Sequence, residues 1–266
     1  MKLRFHKMHG LGNDFIVIDA RRQPVDLGGA QVRALCDRRE GVGCDQLILI
    51  EPGEKAEVRM RIWNPDGKPA SACGNAARCV VSLTGAPTIE TEGGLLTGVT
   101  VDDMVSIELP PPRFAHDQIP IADPVDTRPL PMAWDQLSAP DAVNVGNPHL
   151  VFFVDDLDAV PLGDLGPRIE TDPAFPDRIN VNVAEVNDGK VRLRTWERGA
   201  GLTRACGTGA CATAVAAIGR KLAISPVEVE MDGGTLEISW APGQNILMRG
   251  PATHVFTGDI DMDALA

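Results

Sequence analysis

An internal duplication is the strongest constraint in this sequence. Val58-Arg-Met-Arg-Ile-Trp63 and Val191-Arg-Leu-Arg-Thr-Trp196 agree at four of six positions, 133 residues apart in a chain of 266. At the same spacing each Trp is followed by Ala-Cys-Gly, as Ala72-Cys73-Gly74 and Ala205-Cys206-Gly207. An offset of 134 aligns Gly12-Asn13 with Gly146-Asn147 and Gln46 with Asn180, and an apolar strand pattern follows each of the two Asn loops. An offset of 140 aligns Ile89-Glu-Thr-Glu-Gly-Gly94 with Val229-Glu-Met-Asp-Gly-Gly234. Chance similarity among short strands does not keep a near-constant offset over four segments. Self-similarity at one long period marks a repeated structural unit. The sequence therefore predicts an α/β (α+β) protein of two pseudo-symmetric domains.

The join between the copies is visible in the prolines. Residues 110–131 hold seven of the 21, and Pro fixes φ and donates no hydrogen bond. This stretch is expected to be extended, outside a central sheet, and to act as a linker or crossover. The predicted domains are 1–112 and 113–253. Within each copy, alternating apolar positions such as Val58-x-Met60-x-Ile62 and Val191-x-Leu193 read as strands. Each Cys-Gly then opens a helix. Residues 209–218, Gly-Ala-Cys-Ala-Thr-Ala-Val-Ala-Ala-Ile, carry no charge on any face, which marks a fully buried helix. The first copy, Asn75 to Leu83, is nearly as apolar apart from Arg78. Gly85 and Gly219 are the expected stops. Each half then reads as a strand-rich, barrel-like sheet wrapped around a buried central helix.

Composition narrows the function. A net charge of −12 lacks the basic footprint of a nucleic-acid binder. No apolar run approaches the ~20 residues of a membrane helix. The start, Met1-Lys-Leu-Arg-Phe-His-Lys7, has no apolar stretch behind its charges, so no secretory signal is expected and the cytoplasm is the expected location. There is no Tyr, which excludes tyrosine acid/base chemistry. Six Cys in a chain this long do not make a disulfide scaffold.

Cys73 and Cys206 are the candidates for chemistry. Each precedes a helix, whose first turn offers N–H groups and partial positive charge. That setting favours a thiolate and suits a substrate carboxylate. A Gly after each Cys lets the backbone approach a ligand closely. Two such positions could take a proton from one face of a carbon and return one to the other, which is what inverting a stereocentre requires. Cys36, Cys44, Cys79 and Cys211 are read as small buried side chains. Zinc sites want closely spaced pairs, whereas these spacings are C-x5-C and C-x4-C, so no metal is expected. No G-x-S-x-G supports a serine nucleophile, and the short glycine patterns lack a dinucleotide fingerprint.

With these residues in place the sequence resembles the diaminopimelate epimerases, isomerases that need no cofactor and serve lysine and peptidoglycan precursor synthesis. The matching segments are Met8-His-Gly-Leu-Gly-Asn-Asp-Phe15, Gly41-Val-Gly-Cys-Asp-Gln46, Trp63-Asn-Pro-Asp-Gly67, Ser71-Ala-Cys-Gly-Asn-Ala-Ala-Arg78, Gly146-Asn-Pro-His149, Trp196-Glu-Arg-Gly199 and Ala205-Cys-Gly-Thr-Gly209. They span nearly the whole chain in family order. The resemblance implies that Cys73 and Cys206 are the two acid/base thiols. It implies substrate contacts from Asn13, Gln46, Asn64, Gly74 and Asn75 in the first copy. In the second it implies Asn147, Asn180, Glu197, Arg198, Gly207 and Thr208, with His149 supporting the thiols. It further implies a last strand, from about His254, that returns residues 254–266 to the first domain, a homodimer, and diaminopimelate as the small-molecule substrate.

Three positions depart from the family pattern. Cys44 stands where a small residue such as Ala is usual, and is a candidate for oxidation. Asn180 and Asn182 both lie in Arg178-Ile-Asn-Val-Asn-Val183, and the choice of Asn180 rests on repeat register. Phe256 stands where many members have Tyr, in a region associated with the dimer. The nearest rival reading is a proline racemase or hydroxyproline epimerase of the same superfamily. A Cys-based metal or redox binding module without turnover is the alternative of a different class.

Overall fold

The structure, a computed structural model, describes residues 2–71 and 73–265. The chain divides into two units, Met1–Glu108 with Gly250–Ala266, and Leu109–Arg249. The first contains β1 (Lys2–Gly10), β2 (Asn13–Asp19), α1 (Gly29–Cys36), β3 (Gln46–Pro52), β4 (Val58–Trp63), β5 (Pro69–Ala70), α2 (Gly74–Thr84), β6 (Thr88–Thr91), β7 (Gly94–Val101) and β8 (Met104–Leu109). The second follows with β9 (Ala133–Trp134), β10 (Leu137–Ser138), β11 (Asp141–Asn144), β12 (Pro148–Phe153), α3 (Leu162–Glu170), β13 (Asn180–Asn187), β14 (Lys190–Glu197), β15 (Gly201–Thr203), α4 (Gly207–Gly219), β16 (Val227–Met231), β17 (Gly234–Ser239) and β18 (Ile246–Pro251). β19 (Thr253–Asp261) then pairs antiparallel with β1 in the first unit, with Leu3 opposite Ile260.

The duplication is carried into the ladders residue by residue. β2 runs parallel to β3 with Phe15 opposite Gln46, and β12 runs parallel to β13 with His149 opposite Asn180. Leu47 faces Trp63 and Val181 faces Trp196 in the next, antiparallel pairs. Ile62 faces Ala70 where Thr195 faces Thr203. Val58 meets Ile89 and Val191 meets Val229 in parallel pairs that skip the short strand. Each unit is a strand-rich, barrel-like sheet around its Cys-Gly helix.

The central strands are buried on both faces, so they read as unbroken apolar runs. Phe15–Ile18 and Leu47–Ile50 are all at most 1% exposed. Period 2 sends Ile16, Ile18, Leu47 and Leu49 to one side, where they pack with Val32, Leu35 and Cys36 of α1. α2 touches β1, β2, β7 and β19. In the second unit Leu150, Phe152, Val181 and Val183 pack with Leu162, Leu165 and Ile169 of α3. α4 touches β11, β12, β13, β14, β16 and β17. Ten of its residues are buried, and its Ala and Gly side chains let that many strands approach.

Two local expectations need correction. Gly85 ends α2 in the left-handed conformation at φ 72, which suits glycine. Gly219 does not play that part: α4 runs through it and is capped at Arg220, whose guanidinium is held by Asp141. The proline-rich stretch has one isolated bridge, Arg113 to Asn144, and a single 3-10 turn at His116–Gln118. It is not a free linker, because Ile119, Ile121 and Leu130 between the prolines are buried in the second unit's core.

Candidate active site

In the first unit a two-residue turn, Leu11 at φ 57 and Gly12 at φ 84, joins β1 to β2 and sets Asn13 at the strand start. Gly10 lies against α2, where an added Cβ would come within 2.9 Å of the Arg78 guanidinium. Cys73 is the N-cap of α2, in extended conformation and half-buried. Its Sγ lies 3.9 Å from Asn13 Oδ1.

Asn13 belongs to a directed chain of bonds. Arg78, wholly buried, donates from Nη2 to Asn75 Oδ1 at 2.9 Å and from Nε to the Pro251 carbonyl at 3.2 Å. Asn75 Nδ2 donates to Asn13 Oδ1 at 3.2 Å, and Asn13 Nδ2 donates to Asp45 Oδ2 at 3.0 Å. Arg38 completes the chain, donating to Asp45 Oδ1 at 2.7 Å. A guanidinium only donates and a carboxylate only accepts, so the two ends dictate which way both amides face. Burial alone would raise the Asp14 carboxyl, but Arg38 and Lys7 beside it hold it at about 2. Gln46 and Asn64, both half-buried, are joined by a bond from Gln46 Nε2 to Asn64 Oδ1 at 3.0 Å.

In the second unit Cys206 caps α4 in the equivalent way, 4% exposed, with the Gly209 N–H donating to its Sγ at 3.4 Å. Thr208 Oγ1 is 3.6 Å away. Burial, reinforced by the Glu197 carboxylate, pushes the Cys206 thiol well above its ordinary range against the pull of Thr208 and Gly209. Glu197 accepts from Thr203 Oγ1 at 2.5 Å. Asn180 is buried. Its Nδ2 reaches the Pro148 carbonyl at 2.8 Å, and its Oδ1 accepts from the Arg198 N–H at 2.9 Å. The Arg198 side chain is exposed and donates to the Asp177 carbonyl at 2.8 Å.

His149 is fully buried and has a defined tautomer. Asn182 Nδ2 lies 3.1 Å from Nδ1, which therefore accepts; Nε2 then donates to Asn147 Oδ1 at 2.9 Å. Asn182 also donates to the Leu150 carbonyl and accepts from Thr195 Oγ1. His149 thus orients Asn147, and no bond from it to a thiol is among those described. Burial above all, with the Arg198 charge, lowers its pKa to about 3. The folded chain leaves His149 neutral where an unfolded chain protonates it near 6.5. Between those values the unfolded state holds the extra proton, so stability falls as pH drops through the window. From pH 6.5 to 5 the expected loss is about 1.5–2 kcal/mol. His149→Gln, which does not titrate, should lose less over that interval; urea unfolding of both proteins at the two pH values reads the difference.

The sequence pattern singled out neither Asp45 nor the His149–Asn182–Thr195 network. Arg78 carried a signal, being the one charge in an apolar helix, since a buried charge must be paired. Among the described residues no cluster of three or more His, Cys, Asp or Glu could hold a metal ion, and no helix is long and apolar enough to cross a membrane.

Comparison with known proteins gives the arrangement its family. The chain is 63% identical over 267 residues to a diaminopimelate epimerase of Rhizorhabdus wittichii, covering 99% of this chain and 97% of that one. It is 58% identical to one from Sphingopyxis alaskensis, over 97% of each. A solved hydroxyproline epimerase from Agrobacterium vitis, with bound trans-4-hydroxy-L-proline, shares the fold at a TM-score of 0.67 and 17% identity, over 97% of this chain and 92% of that one. The family model described as diaminopimelate epimerase matches residues 5–106 and 141–255, which takes in both Cys-Gly helix starts and the loops beside them. By that match and those identities this chain, an isomerase, belongs to the diaminopimelate epimerase family.

Proposed function

We propose that the protein interconverts LL- and meso-diaminopimelate by a two-base mechanism, with Cys73 and Cys206 as the acid/base pair on opposite faces of the α-carbon. The observation that carries this reading is the equivalence of the two thiols: each is the extended N-cap of the buried helix in its repeat. Helix starts suit the α-carboxylate, through the N–H groups of Gly74 and Asn75 and of Gly207 and Thr208. Asn64 and Glu197 suit the ammonium. Asn13, Gln46, Asn147 and Asn180 fix the substrate's orientation. Arg198, with its planar fork, suits the distal carboxylate. An α-proton is hard to remove without an electron sink, so preorganised donors in a site shielded from water must supply the stabilisation. The reading includes a cytoplasmic homodimer, independent of pyridoxal phosphate, that feeds lysine and peptidoglycan precursor synthesis.

Proton NMR of LL-diaminopimelate with reduced protein in D2O tests it. The expected result is deuterium at one α-carbon and conversion to the meso isomer, with no cofactor added. Absence of exchange there, with exchange of L-proline or 4-hydroxyproline instead, would replace this substrate by that of the rival epimerases.

A further inference from the structure

Two cysteines outside the candidate active site lie together. Cys36 ends α1 and Cys44 precedes β3; both are buried, at 3% and 2% exposure, and their sulfurs are 3.4 Å apart. The loop between them is built to bring them there. Val42 and Gly43 both donate backbone N–H groups to the Leu35 carbonyl, at 3.1 and 3.0 Å, and Cys44 donates to the Cys36 carbonyl at 3.3 Å. Gly41 packs so closely that a Cβ there would fall 2.0 Å from the Ala34 carbonyl oxygen. Gly43 sits at φ +77 against the Arg38 backbone. A backbone hydrogen bond between two residues keeps their Cα atoms near the roughly 4.4–6.8 Å that a disulfide spans.

The surroundings favour reaction. Lys7 bonds the Gly43 carbonyl and Asp14, and Arg38 adds a second cation. The Cys44 S–H donates to Cys36, which lowers the Cys36 thiol, while the same bond and burial raise Cys44. Cys36 is then the nucleophile and Cys44 the resolving thiol.

We propose that Cys36 and Cys44 form a peroxide-reactive dithiol, distinct from Cys73 and Cys206, that closes to a disulfide. The Cys36 thiolate attacks one oxygen of hydrogen peroxide; the O–O bond breaks, hydroxide leaves and is protonated to water, and Cys36 becomes a sulfenic acid. Cys44 then attacks that sulfur, the S–S bond forms, the S–O bond breaks, and a second water leaves. Two thiols are oxidised by two electrons in all, and one peroxide is reduced to two waters. Closure draws the sulfurs to about 2.05 Å, more than 1 Å nearer than now. That moves the residue directly before Asp45, on which the Asn13 amide rests.

The test uses the full chain, reduced, then treated with hydrogen peroxide, quenched, alkylated in denaturant and mapped by mass spectrometry. The expected product is a Cys36–Cys44 cross-link that lowers the denatured thiol count from six to four. It should form equally in a variant with Cys73→Ser and Cys206→Ser, and be absent from Cys44→Ala, in which Cys36 stops at the sulfenic acid for want of a resolving thiol. Recovery of Cys36 and Cys44 as alkylated thiols, at a dose that oxidises Cys73 or Cys206, would overturn the proposal, as would oxidation of Cys36 to sulfinic acid without a cross-link. None of these readouts depends on epimerase activity.

Discussion

Cys73→Ala and Cys206→Ala are each expected to abolish interconversion of the LL and meso isomers in both directions. In one direction a given thiol removes the proton, and in the other it delivers one, so either variant lacks a base one way and an acid the other. A positioned acid or base contributes on the order of 10²–10⁴-fold, and losing one of two obligate partners should fall at the top of that range. The informative readout is isotope exchange. A variant with one thiol should still wash deuterium into the isomer whose α-proton faces that thiol, and return it with retained configuration. The other isomer should neither exchange nor invert. Cys73→Ser is expected to keep slow exchange of this one-sided kind. Full turnover by either Ala variant would remove the two-base mechanism. Cys206, pushed up by burial and Glu197, should be a protonated thiol in the resting protein and a slow target for iodoacetamide at neutral pH.

The two thiol sites share a backbone plan but not a polar one. The residue opposite Gln46 is Phe15, and its counterpart opposite Asn180 is His149. By repeat register Ile48 corresponds to Asn182 and Ile62 to Thr195. The second unit therefore orients its Asn loop from the strands, through a buried His-Asn-Thr network. The first replaces those three with apolar side chains and orients Asn13 from the helix and the Asp45 loop. Duplication preserves the ladders because a one-residue slip would turn every apolar side chain away from the core. Nothing comparable compels the same polar partners, provided each buried amide is satisfied in some way.

This explains what was legible in the sequence. The repeated strands, the two buried helices and the Cys-Gly starts follow from periodicity and spacing, which are local. α1 and α3 escaped such a reading. They are only eight and nine residues long, α1 opens on glycine, and α3 contains Pro167, which reads as a helix breaker even though Leu162, Leu165 and Ile169 keep a helical spacing. Asn182 was visible as a polar residue in an apolar strand, but its service to His149 depends on a parallel neighbour some thirty residues away. The approach of Cys44 to Cys36 depends on how two glycines fold a loop, which spacing does not report.

Arg78→Met is expected to cost both stability and activity. The wholly buried guanidinium satisfies the Pro251 carbonyl and Asn75 Oδ1 together. Removing it takes a donor from the buried Asn75 oxygen and from the half-buried Pro251 carbonyl, at about 1–3 kcal/mol each, so a loss of roughly 2–5 kcal/mol in urea unfolding is the expected outcome. Part of that loss falls where the chain passes from β18 into β19, since Pro251 is the last residue of β18. Arg78→Lys should recover only a fraction, because a single ammonium cannot reproduce two fixed donors from one planar group. The activity arm separates positioning from folding. Once Arg78 no longer requires Asn75 to present its oxygen, that amide can rotate, and the Asn13 oxygen near Cys73 loses its donor. At a temperature where the Lys variant is fully folded, kcat should fall more than KM rises, because misaligned donors cost more in the transition state than in binding. A Lys variant that is folded and has unchanged kcat would reduce Arg78 to a structural strut.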